Sequence, residues 1–165
     1  MKAVYLAVAG RIRRELSELD QVVERIERIW QRRTAMAEAE TDDYYIDAIA
    51  LNLHGFYAGI ERLLEVIAEG VDQTKPTGAS WHRELLQQLT TDIPSVRPAV
   101  LSFETRDRLD RYRGFRHVVR NVYTFNLDPE QIGLLIQQLQ PTKVQVSQEL
   151  LNFADWLEQV ASVEN

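Results

Sequence analysis

The sequence predicts an all-α fold, an up-and-down bundle of five or six helices, and three observations carry that expectation. Apolar residues recur at spacings of three and four, the period of a helix and not of a strand. Only seven glycines and five prolines punctuate 165 residues. No internal repeat, low-complexity tract or interdomain linker divides the chain, so one domain over residues 1–165, long enough to bury a real core, is the natural arrangement.

The first helix follows from Ile12, Leu16, Leu19, Val23, Ile26 and Trp30, whose rhythm buries one stripe and leaves Glu and Arg outside, and it should run to about Ala37. Thr41, Asp42 and Asp43 are N-cap candidates for a second helix, with acids favourable in its first turn. That helix carries Ile46, Ile49, Leu53, Phe56, Ile60, Leu63 and Ile67, and Gly70 stands where it should stop. "DQTKPTGAS" reads as a loop, and Ser80 opens a short third helix, "WHRELLQQL", that ends at "TTDIPSVRP". Pro98 suits the first turn of a fourth helix bearing Leu101, Leu109, Tyr112, Phe115, Val119 and Val122. Asp128 followed by Pro129 signals the start of a fifth, which Pro141 either kinks or divides from a last helix through Leu150, Phe153, Trp156 and Leu157.

Composition narrows the function classes. No cysteine is present, which removes disulfides and thiolate metal sites and favours a cytoplasmic setting. The opening "MKAVYLAVAGRIRRE" imitates a signal peptide, but its length and the basic residues after it fit a helix start better. No apolar run approaches the roughly 18 residues that span a bilayer, so no membrane partner is expected.

Charge is distributed unevenly. The chain has a formal net charge of −6, yet residues 106–123 hold six arginines and two aspartates, +4 locally against −10 for the remainder. On a helix Arg113, Arg116, His117 and Arg120 form one stripe, Tyr123 continues it and Asn121 flanks it. One reading pairs these arginines with Asp107, Asp110 and neighbouring glutamates, or leaves them on a solvated face. The other is a phosphate site, since guanidinium groups make bidentate phosphate contacts and a narrow stripe can hold an RNA backbone without making the whole protein basic. A histidine there exchanges protons near neutral pH, and Asn and Tyr orient a hydroxyl or donate to a developing charge.

"DDYYIDAIALNLHGFYAGIERLLEVIA", "WHRELLQQL" and "RHVVRNVYTFNLDPE" together resemble the HepT-like proteins of the HEPN superfamily over about residues 40 to 135. The resemblance implies a small helical ribonuclease, the toxin of a toxin–antitoxin pair whose antitoxin is a minimal nucleotidyltransferase of the MNT type. The family motif is Arg, a polar residue, three residues, His, one residue, Tyr. Laid on this chain, Arg116 takes the arginine position, His117 the polar one, Asn121 that of histidine and Tyr123 that of tyrosine. The departure is Asn121, because an amide exchanges no proton near neutral pH. The resemblance therefore implies catalytic Arg116, His117, Asn121 and Tyr123, with the proton-transfer duty moved to His117, or a catalytically inactive interaction partner of the nucleotidyltransferase. Arg111, Arg113 and Arg120 would bind RNA. The looser motif, with Arg111 as its arginine, also reaches His117. The site would form across a homodimer, open to higher assembly, and Tyr123 would accept AMP from the antitoxin, blocking the cleft by bulk and charge. A mononucleotide-binding module is a further alternative.

The remaining polar residues read less specifically. His54, beside Gly55, suits packing or an interface better than ligation, for no companion ligands stand near it. Trp81 and His82 read as an amphipathic lid on the bundle. Glu61–Arg62 and the Glu24, Arg25, Glu27, Arg28 group read as surface ion pairs. "EAETDD" reads as a solvated helix boundary, and neither a calcium-loop spacing nor a GxGxxG pattern is present. No metal site and no cofactor are expected, and RNA cleavage through the 2′-hydroxyl needs neither.

Overall fold

The structure, a computed structural model, describes residues 1–37, 43–123 and 126–163. Thr41 and Asp42, the expected caps, lie outside the described residues. Within them are α1 (Lys2–Ala35), α2 (Asp43–Ile67), α3 (Trp81–Leu89), α4 (Phe103–Asn121) and α5 (Pro129–Val163). An isolated bridge between Ile93 and Arg97 is the extent of β-pairing among the described residues.

The two longest helices run antiparallel, with Arg13 of α1 reaching Asp155 at 2.6 Å and Glu158 at 3.1 Å on α5, while Lys143 meets Asp20 further down. Exposed pairs of this kind hold register more than they stabilise. Burial of the apolar stripes is the driving term: Ile12, Leu19, Val23 and Ile26 of α1 close on Ile49, Phe56, Ile60 and Leu63 of α2 and on Leu150, Phe153 and Leu157 of α5. Glycine permits the close approaches. A Cβ on Gly59 would lie 2.7 Å from Leu19 Cδ2. Gly55, by contrast, has open space around it.

Two boundaries differ from expectation, and at Pro141 one of the two expected alternatives does not occur. Gly70 does not stop the second helix, which continues as a π-helical turn over Ala68–Asp72 and ends on Gln73 in the left-handed region (φ 54°). Gly70 instead faces α1, where a Cβ would come within 3.1 Å of Val8 Cγ2. Pro98 does not open the fourth helix. Ser102 caps it, accepting from Thr105 N at 3.1 Å, because residues 90–101 are held by other partners: Val100 N and Leu101 N both donate to Leu89 O, and Ala99 N donates to Asp92. Pro141 does not divide the fifth helix, whose 35 residues run through it.

A buried ion pair organises the irregular segment. Arg97 and Asp72 have side chains 0% and 1% exposed, joined by Nε to Oδ1 and by Nη2 to Oδ2 at 2.7 Å. The guanidinium also donates to the carbonyls of Thr91, Pro98 and Gln88, and the Gln88 amide donates to Asp72. A buried charge is tolerated when every donor is satisfied in this way. The π turn delivers Asp72 to that position.

Candidate functional site

Helix α4 turns two faces outward with different chemistry, because residues along a helix advance by about 100° each. Leu109, Tyr112 and Phe115 are buried, and Tyr112 is anchored by donating to Leu135 O at 2.7 Å. On one flank Arg113, Arg116, His117, Arg120 and Asn121 line an opening of about 330 Å³, completed by His82 from α3. Arg111, about 200° around the helix from Arg113, faces the other way, into a separate groove of about 430 Å³ between α4 and α5. Tyr123 also stands apart from the opening: α4 ends at Asn121, Val122 is extended (φ −124°, ψ 155°), and Tyr123 is 75% exposed beyond it. The stripe therefore ends one turn earlier than regular helical spacing implies.

The arginines divide between paired and unpaired. Arg106 pairs with Asp107, Arg108 with Glu104, and Arg113 donates Nε to Asp110 at 2.6 Å, which raises the Arg113 pKa further. No described carboxylate lies within 4 Å of Arg111 or Arg120. Arg116 is mostly buried, its Nη1 lies 3.7 Å from Glu61 Oε1, and its Nε is buried with no hydrogen-bond partner. The opening thus carries net positive charge, with the guanidinium groups of Arg113, Arg116 and Arg120 along its wall, the groups that make charge-assisted hydrogen bonds to phosphate oxygens.

Asn121 Nδ2 donates to His117 O at 2.7 Å and lies 3.4 Å from His117 Nδ1. The amide at the motif histidine position is thereby committed to the backbone, and His117 keeps its exposed imidazole on the opening.

Two residues here escape the reading of Glu61–Arg62 as a surface pair and of His82 as a lid. Glu61 is 4% exposed. Its Oε2 contacts His82 Nδ1 at 2.7 Å while its Oε1 faces Arg116. Arg62 turns instead toward Glu15 at 3.9 Å. The Tyr57 hydroxyl is buried without a hydrogen-bond partner, and burial, followed by the Glu61 charge, pushes its pKa up. His54 is half-buried behind Arg116 and Arg120; burial lowers its pKa most, the two guanidinium groups next, and Glu61 partly opposes them. A signal for this polar stripe exists in the sequence, since His54, Tyr57 and Glu61 are three and four residues apart and so share one face of the second helix.

Among the described residues no group of three His, Cys, Asp or Glu side chains is placed to hold a metal ion. No helix among them is long and apolar enough to cross a membrane.

Compared with known proteins, residues 48–157 match the model of a family described as HepT-like protein. Neither a curated protein nor a solved structure matches the chain. The matched span takes in α2 from its second turn, the π turn, α3, α4 and most of α5, and with them every residue that lines the opening.

Proposed function

This chain belongs to the HepT-like protein family, and from that premise we propose that it is the toxin of a toxin–antitoxin pair, acting as a metal-independent endoribonuclease. The observation that supports the reading is the shared opening, which gathers Arg113, Arg116, Arg120, His117 and Asn121 on a protein of net charge −6. Acidic surroundings disfavour non-specific nucleic acid and leave one place where a polyanion is welcome. Arg116 and Arg120 bind the scissile phosphate and stabilise the charge that develops on it, while His117 exchanges the proton. Asn121 holds the last turn of α4 in shape. Arg113 contributes to the same positive wall. Arg111 extends positive charge around the helix and contributes least.

Two copies of the opening, brought together in a homodimer, form a cleft long enough to follow an RNA backbone. The family relationship further supports an MNT-type nucleotidyltransferase as antitoxin, and Tyr123, an exposed residue just past the end of α4, as the acceptor of AMP. The test is cleavage of single-stranded RNA by purified protein in the presence of a chelator, with Arg116→Ala as control. Cleavage that survives this substitution removes the assignment.

One observation favours a second reading. An amide exchanges no proton near neutral pH and that of Asn121 is bound to the His117 carbonyl, so the motif position performs no proton transfer, as expected of an inactive regulatory partner of the nucleotidyltransferase. Under that reading the wild-type protein binds RNA without cutting it.

A further inference from the structure

The ribonuclease reading leaves a chemical gap, because transesterification needs one group to take a proton and another to return it, and Asn121 does neither. We propose that His82, held by Glu61, is the general base of this site; the proposal rests on the ribonuclease reading and assigns a residue outside the motif. The pair has the geometry of an oriented base. Glu61 Oε2 lies 2.7 Å from His82 Nδ1, and the carboxylate side chain is 5% exposed, so it has little freedom to move away. A buried carboxylate on Nδ1 keeps the proton there and leaves the lone pair on Nε2. No described residue bonds Nε2. His82 is 24% exposed and lines the same opening as Arg113, Arg116, His117, Arg120 and Asn121.

Glu61 also ties base to phosphate binder. Its two oxygens address different partners, Oε2 the imidazole and Oε1 the guanidinium of Arg116 at 3.7 Å. One buried carboxylate on α2 therefore sets the position of a base from α3 relative to an anion-binding arginine from α4. Trp81, stacked on His82 with ring centroids 3.7 Å apart, restrains the ring further. A surface lid requires none of these interactions.

In the proposed step His82 Nε2 takes the proton of an RNA 2′-hydroxyl. The 2′-oxygen bonds to the adjacent phosphorus, the bond from phosphorus to the 5′-oxygen breaks, and that oxygen takes a proton from the imidazolium of His117. The products are a 2′,3′-cyclic phosphate and a 5′-hydroxyl end. Exchange with water restores both imidazoles.

The experiment compares wild type, His82→Ala, His82→Asn and Arg116→Ala on a single-stranded RNA oligonucleotide, with the all-deoxy oligonucleotide as the uncleavable control. His82→Asn is the decisive variant, because its amide N–H occupies the place of Nδ1–H and preserves the bond to Glu61 while removing the exchangeable nitrogen. Both His82 variants are expected to lose about 100- to 10,000-fold in kcat, with KM for RNA within about threefold of wild type. If His82 only supports the fold, His82→Ala fails and His82→Asn restores cleavage, which overturns the proposal. Should His82→Ala not fold, His82→Asn alone decides, with its circular dichroism matched to wild type. Active wild type with His82→Asn within about threefold in kcat overturns this inference alone. Wild type inactive on RNA overturns the ribonuclease reading and this inference with it.

Discussion

The side-chain amide of Asn121 donates to the backbone carbonyl of His117 at 2.7 Å, closing the final turn of α4 with a bond that an imidazole at that position would not make in the same way. Asn121→His exchanges this cap for a titratable ring. Where proton transfer already runs through other imidazoles, the substitution changes kcat by less than about tenfold, whereas restoring a missing acid–base group raises it by about 100-fold or more. Single-turnover cleavage of RNA by the two proteins decides between an active ribonuclease and an inactive partner.

Arg116→Ala is expected to lower kcat by about 100- to 1,000-fold, the scale of losing one pre-positioned donor to a developing charge. Glu61 retains His82 as a partner, so the helical circular dichroism signal should persist.

Arg120 and Arg111, both without a paired carboxylate, differ in which side of α4 they occupy. Arg120→Ala should reduce the salt dependence of RNA binding by about 0.7 in slope for each phosphate it no longer neutralises, and Arg111→Ala should reduce it by less. Fluorescence anisotropy across a salt series measures both slopes. Equal reductions would show that RNA is not confined to the opening.

His54 predicts a pH effect. Burial first, then Arg116 and Arg120, hold its pKa below the ordinary 6.5. The folded protein therefore disfavours the protonated ring more than the unfolded chain does. Stability contributed by the neutral ring is complete above pH 6.5 and declines as the pH falls from there toward the depressed value. Urea denaturation at several pH values should show this loss in wild type and a smaller one in His54→Gln. Phosphate bound at Arg116 and Arg120 should also raise the His54 pKa in an NMR titration, because it offsets the two cations.

Asp72→Ala strips a fully buried arginine of its counter-ion and is expected to cost about 3–5 kcal/mol. The double replacement Asp72→Ala with Arg97→Met should recover much of that loss, since no uncompensated charge remains. Equilibrium denaturation measures both. A loss below about 1 kcal/mol for the single variant would place Arg97 with ordinary surface ion pairs.

Helical periodicity determines most of this architecture, because burying one stripe per helix is a local instruction repeated along the chain: the stripes of α1 and α2 and the basic flank of α4 are legible in it, and the capping signal of Asp128–Pro129 adds the start of α5. Ion-pair partners are not local. Whether Glu61 lies on the surface or between His82 and Arg116, whether Gly70 ends a helix or lets it approach α1, and whether Pro98 starts one or sits in a segment ordered around Arg97 each depend on a residue far away in sequence. Tertiary packing made those choices, and by placing α3 against α2 and α4 it turned a glutamate, a histidine and an arginine from three separate helices into one cluster beside the opening.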